Sequence, residues 1–207
     1  IVPIDGESLL PAEKYGDDRL FVYLRLDSEN DEFVTELEKA NQPVLEIQIT
    51  DNYSLFTEFY RWEYATAVAC HILGVNAFDQ PNVEAAKIEA RAQIYAYNQK
   101  GVLDEGEPTW EKEDVKIYTN VDIVGANLNS AIDSFFDKGR EDDYVAIQAY
   151  LPRNNQTATS LQKIRKAIQE KTGLAITLGF GPRFLHSTGQ LHKGGANNGI
   201  FIQITAD

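Results

Sequence analysis

The stretch from Glu141 to Phe180, EDDYVAIQAYLPRNNQTATSLQKIRKAIQEKTGLAITLGF, decides the fold. Tyr144 to Leu151 is a β-branched and aromatic run, Thr157 to Thr172 has helical spacing, and Leu174 to Phe180 is apolar again, so the segment reads as strand, helix, strand. A fainter copy lies upstream. Leu20 to Leu26 (LFVYLRL) and Val44 to Thr50 (VLEIQIT) flank Asp31 to Asn41, where Phe33, Val34, Leu37 and Ala40 fall at helical positions. Two such units predict an α/β fold, doubly wound, with a largely parallel sheet flanked by helices.

Between and after these units the pattern continues. Ser54 to Leu73 is a mostly apolar helix stopped by Gly74, and a second helix starts near Asp79, with Pro81 in its first turn, and ends near Gln99 before Gly101. Gly101 to Asp114, GVLDEGEPTWEKED, is an acidic loop joining two lobes. Lys116 to Thr119 reads as a short strand, Val121 to Lys138 as a helix and Ile200 to Thr205 as a last strand. The division expected is residues 1–112 as one domain and 113–207 as an α/β extension packed on it.

The 207 residues are 43% hydrophobic and 11% aromatic, enough to bury a core. No run approaches the roughly 18 to 20 apolar residues of a membrane-spanning helix, and the start lacks signal-peptide character, so the expectation is a cytoplasmic chain. Cys70, the single cysteine, lies in an apolar helical run and reads as a buried small hydrophobe. The chain has no methionine and opens on Ile1, which leads to the expectation of a fragment of a longer protein. A net charge of −13 argues against nucleic acid or anionic membrane as partner. The charge is uneven: residues 1–112 hold 9 Lys and Arg against 22 Asp and Glu, whereas from Pro152 onward 7 basic residues face 2 acidic. A basic end on an acidic protein suits a small anionic ligand.

Two segments carry candidate chemistry. In Asn76 to Lys87, NAFDQPNVEAAK, helical spacing puts Gln80, Glu84 and Lys87 on one face, where an amide and an ammonium can hold the two ends of a polyol. In the bland alternative this is a solvated face with a Glu84–Lys87 ion pair. Gly179 to Gly199, GFGPRFLHSTGQLHKGGANNG, gathers Arg183, His186, Ser187, Thr188, Gln190, His192 and Lys193 among six glycines after a strand. Glycines admit close backbone approach, hydroxyls and cations hold phosphate, and histidine moves protons near neutral pH. The order of glycine and lysine does not fit a nucleotide-binding loop, and His186 and His192 have no third metal ligand nearby, so no metal is expected. His71, in an apolar helical run, reads as core or helix-face packing.

Phe56 to Lys87, FTEFYRWEYATAVACHILGVNAFDQPNVEAAK, resembles the late signature of glucose-6-phosphate isomerases, with Phe78, Asp79, Gln80, Val83, Glu84 and Lys87 matching in identity and spacing. Asn82 stands where the family usually has glycine. The Pro-Asn form, together with GPRFLHSTGQLHKGG, resembles the version fused to transaldolase in bacteria. The resemblance implies a sugar-isomerase (SIS) fold and interconversion of glucose 6-phosphate and fructose 6-phosphate through an enediol, with no cofactor. It further implies that Lys87 assists ring opening and that Gln80 holds substrate near its phosphate. The family's ring-opening histidine, in a Gly-Gln-His setting, corresponds to His192, with His186 the substitute. Leu191 is inserted in that setting, and the segment follows the Phe-Asp-Gln motif where the family's precedes it. The proton-shuttling glutamate has no counterpart, so the expectation is an inactive piece that acts with upstream isomerase and transaldolase domains, as a homo-oligomer in one reading. The competing expectations are a non-catalytic SIS module that binds sugar phosphate, and an oligomerisation lobe built on the helix pair Ser54 to Gln99.

Overall fold

The computed structural model describes residues 1–79, 82–103, 105–182 and 189–206. Its elements are mixed α and β, in the order β1 (Phe21–Arg25), α1 (Asp31–Lys39), β2 (Val44–Gln48), α2 (Ser54–Leu73), α3 (Asn82–Lys100), β3 (Trp110–Lys112), β4 (Val115–Ile117), α4 (Leu128–Phe136), β5 (Tyr144–Tyr150), α5 (Asn155–Thr172), β6 (Ala175–Phe180), α6 (Gly189–Gly194) and β7 (Gly199–Thr205), with a 3-10 turn at Ala12–Lys14 before β1. Leu9–Gln80 makes one compact unit; Ile1–Ser8 and Pro81–Asp207 together make the other.

In the larger unit β5 lies between β6 and β7, parallel to both, in register Val145 to Ile176 and Val145 to Ile200. Alternation along β5 sends side chains to two faces. Val145, Ile147 and Ala149 pack with Leu161 and Ile168 of α5 and Phe136 of α4, whereas Tyr144 and Ala146 pack with Ala175, Leu191 of α6, Val2 and Ile4. Both faces are therefore covered, which is why β5 is apolar except at Gln148. Each of Val145, Ile147, Leu161 and Ile176 is at most 2% exposed, and burying such side chains stabilises by about 1.5–3 kcal/mol apiece. Helix α6, which lies between β6 and β7 in the chain, packs on the opposite face of the sheet from α5.

Residues 2–7 form a strap on this unit. Arg165, 2% exposed, donates through Nη2 to the Asp5 carbonyl (2.9 Å) and to the Ile176 carbonyl (2.5 Å), and Glu7 Oε1 accepts from Ile176 N (3.1 Å). In the smaller unit β1 and β2 form a parallel pair, and Val34 and Leu37 of α1 are buried along with Leu10, Ile47 and Ile49. Arg25 donates through Nε (2.8 Å) and Nη2 (2.6 Å) to the two oxygens of Asp31, and those bonds hold the Asp31 carboxyl below the usual carboxylate range.

Several expectations change. The strands form two small parallel sheets and an antiparallel hairpin, β3 with β4, rather than one largely parallel sheet. That hairpin arises at the end of the expected acidic loop, where Trp110 pairs with Ile117. The helix expected from Val121 begins instead at Leu128, because Asn127 caps it: its Oδ1 accepts from Ser130 N (3.0 Å) while Ser130 Oγ accepts from Asn127 N (3.1 Å). Helix α2 exposes most of its apolar residues, Phe56, Phe59, Tyr60 and Ile72 among them, and its one buried residue is Glu58, 3.2 Å from Arg61. On it Cys70 is half-buried and His71 exposed, not core. No helix among the described residues is long and apolar enough to cross a membrane.

Candidate functional site

Helix α6 is a single short segment of the glycine-rich stretch, and its composition did not announce it. Leu191 anchors it by packing against Tyr144, Ala146 and Ala175. That anchorage sets the next residue, His192, against two aromatic rings. Its imidazole stacks on Tyr144 (centroids 5.9 Å apart, planes at 23°) and meets the edge of Phe201 (5.4 Å, 85°). The Tyr144 hydroxyl lies 2.9 Å from His192 Nδ1. Burial pushes the histidine below its ordinary value and the tyrosine above its own. At neutral pH both groups are thus uncharged, and in the tautomer whose Nδ1–H donates to the Tyr144 hydroxyl oxygen, Nε2 keeps its lone pair. A neutral imidazole held in one plane can accept or return a proton without reorienting.

Helix α3 packs against α6. The contact is close where they meet: a Cβ added at Gly194 would fall 2.1 Å from Asn82 Nδ2 and 3.4 Å from Gln190 Nε2, so glycine permits the approach. Lys87 lies on α3, five residues beyond Asn82, about 7.5 Å along the axis at the usual helical rise. It is exposed, with Nζ 3.7 Å from Glu84 Oε2, and the other oxygen of Glu84 accepts from Arg91 Nη2 at 2.6 Å. Both partners are more than half exposed, so water screens these pairs and each contributes at most about 1 kcal/mol. On α6, Lys193 is half-buried and Gln190 has its Oε1 enclosed with no hydrogen-bond donor among the described residues. Gln80, Arg183, His186, Ser187 and Thr188 lie outside the described residues.

One feature escaped the sequence reading. A cleft of about 300 Å³ opens along the α6 face toward the carboxyl ends of β5 and β6, with Asp5, Gln148, Arg153, Thr177, Phe180 and His192 in its walls. Arg153 sits between the end of β5 and the start of α5, its guanidinium carbon 5.8 Å from the Phe180 ring centre. The order of elements could have pointed to it, since ligands in parallel sheets gather at strand-to-helix junctions, but an isolated arginine after Pro152 has no spacing to mark it. A second hollow, about 240 Å³ between β3, β4 and the start of α4, contains none of the candidate residues. Among the described residues no three His, Cys, Asp or Glu side chains are grouped to hold a metal ion.

Within one unit, then, α3 with Lys87 and α6 with His192 share a packed junction, and His192 also walls the cleft that Arg153 and Asp5 line. Compared with family models, with curated proteins and with solved structures, the chain matches none.

Proposed function

We propose that this chain contributes part of the sugar-phosphate site of an aldose–ketose isomerase acting on glucose 6-phosphate and fructose 6-phosphate, in a SIS-type protein that also includes upstream isomerase and transaldolase domains. The observation that carries the reading is the packing of α3, which holds Lys87, against α6, which holds His192, about a hundred residues later in the chain. Lys87 supplies a proton to the ring oxygen as the sugar opens. Gln80 holds the phosphate end. His192, neutral and fixed by Tyr144, takes the proton of the ring hydroxyl through its free nitrogen. The carboxylate that moves the proton between C2 and C1 comes from elsewhere in the parent.

The test is coupled-assay turnover of fructose 6-phosphate by the parent and by the 207-residue chain. In the parent, Lys87→Ala is expected to lower turnover by about 10²- to 10⁴-fold, the usual range for a general acid or base; unchanged turnover rejects the assignment. The chain alone is expected to be inactive. A second reading, a sugar-phosphate-binding module without catalysis, is favoured by the way Tyr144 and Phe201 enclose His192. Full isomerase activity in the parent excludes it.

A further inference from the structure

The three-stranded sheet of the larger unit has two outer strands, β6 and β7, whose free edges differ. On β6, Gly181 N donates to the Ala149 carbonyl (2.8 Å), so the odd-numbered residues turn their peptide groups toward β5 and the even-numbered ones turn theirs outward. At Ile176 side chains take both outward groups: Glu7 Oε1 accepts from its N–H, and Arg165 Nη2 donates to its carbonyl. An edge plugged in this way is closed to a further strand at that point.

Strand β7 carries no such plug. Tyr144 N donates to the Asn198 carbonyl (3.0 Å), which sets the peptide groups of Ile200, Ile202 and Ile204 toward β5 and turns those of Gly199, Phe201, Gln203 and Thr205 away from the sheet. Among the described residues nothing hydrogen-bonds to these outward groups, and Phe201, Gln203 and Thr205 are exposed. The strand is seven residues long and pairs with β5 from Gly199 to Thr205 without a bulge. Its sequence, GIFIQIT, has neither a charge nor a proline. The usual means of blunting an edge (a charge, a proline, a bulge or short length) are therefore all missing from it.

We infer that this edge pairs with the same edge of a second copy of the chain, antiparallel, about a two-fold axis at Ile202, so that the two sheets become one. The strand is complementary to itself in that register. Phe201 faces Gln203 of the partner subunit and Gly199 faces Thr205 of the partner subunit, and each couple exchanges hydrogen bonds in both directions, which satisfies the outward groups. Ile200 faces Ile204 of the partner subunit and Ile202 faces its own counterpart, on the side where these isoleucines already pack against the core of Val145, Ile147 and Leu161. The apolar layer thus runs on across the axis. No charge on the strand meets a like charge, which matters in a chain of net charge −13. An unrelated extended peptide would gain the backbone bonds but not the matched isoleucines. The isomerase reading is not needed for any of this.

Sedimentation velocity of the 207-residue chain over a thousandfold range of concentration tests the inference, and a monomer–dimer equilibrium is expected. Gln203→Pro removes one outward N–H and leaves the bonds to β5 alone, since proline is tolerated where the missing N–H faces solvent. It is expected to weaken the dimer at least about tenfold, because each copy loses a hydrogen bond. Gln203→Lys keeps the N–H but puts a charge on the edge of each copy, and is expected to weaken the dimer too. Circular dichroism melts of the dilute monomers are expected to match the unmodified chain; should Gln203→Pro melt lower, Gln203→Lys decides. Amide exchange followed by NMR reads the register: Phe201, Gln203 and Thr205 are expected to gain protection as concentration rises, while Ile202 and Ile204 are protected throughout. The inference is overturned if the chain stays monomeric over the whole range, if a dimer forms that a well-folded Gln203 variant does not weaken, as association through the apolar side chains of α2 would give, or if the outward amides exchange equally fast in monomer and dimer. Failure of the isomerase reading is seen separately, in parent turnover that ignores Lys87.

Discussion

His192 shows what one side chain gains and loses by its setting. Stacked on Tyr144 and facing Phe201, it is easier to keep neutral than in water, so its folded value lies below the ordinary one. The unfolded chain then binds the extra proton more readily, and stability falls as pH drops through the ordinary histidine range toward the lower folded value; below that value the loss is complete. Urea midpoints at pH 7.5 and 5.5 check this: the unmodified chain is expected to lose stability between them, and His192→Gln to show a shallower change. An equal slope in both means that the imidazole is not the group responsible. Lys87 is marked in sequence by its helical spacing from Glu84, whereas Gln80, expected on the same face, lies outside the described residues. His192 could be picked out as a histidine among glycines, but its partner Tyr144 could not, lying 48 positions away at the start of a strand. Arg153 was invisible for a related reason, since only the fold turns a loop arginine toward a cleft.

At the scale of elements, long periodic segments were legible and short ones were not. The strands and helix of Tyr144 to Phe180 appear within two or three residues of their expected ends, because burial on both faces demands an apolar run and α5 a steady helical stripe. Of the hairpin, β4 answers to the short strand expected at Lys116 to Thr119, whereas β3, three residues inside the expected acidic loop, is too short to show a period, and α6, six residues with a glycine at each end, resembles a loop in composition. Helix α4 was expected too early because Val121, Ile123 and Val124 read as helical, whereas Asn127 draws the first turn to itself through its own hydrogen bonds. Asn127→Ala removes the side-chain half of that reciprocal cap, leaving the backbone N–H at 127 on Ser130 Oγ, and is expected to cost about 0.5–2 kcal/mol, measured as a drop in thermal midpoint, with Asn127→Ser losing less. An unchanged midpoint would mean that packing through Ala131 and Phe136 holds the helix start by itself.

Over the whole molecule, the larger unit is made of both ends of the chain. Residues 1–8 dock on it through Val2, Ile4, Asp5 and Glu7, and Leu9–Gln80 forms a unit of its own in between. In the sequence residues 1–8 group with the segment that follows them, because contact between positions so far apart leaves no local pattern. Arg165→Met is the probe of that arrangement. It leaves the Asp5 and Ile176 carbonyls without their donor, at about 1–3 kcal/mol for each buried group unpaired, and hydrogen exchange is expected to rise in β5 and β6 while β1 and β2 keep their protection. Equal loss in both pairs of strands would show that the two units open as one. There is also a consequence for how the chain is made. Asp5 finds Arg165 160 positions later, and Glu7 finds Ile176 169 positions later. A ribosome adding about 5–20 residues per second therefore makes residues 2–7 many seconds before their berth exists. During that interval Leu9–Gln80 is complete and free to fold, while the leading segment waits with Val2 and Ile4 uncovered, so closure of the larger unit is the last event of its assembly rather than the first.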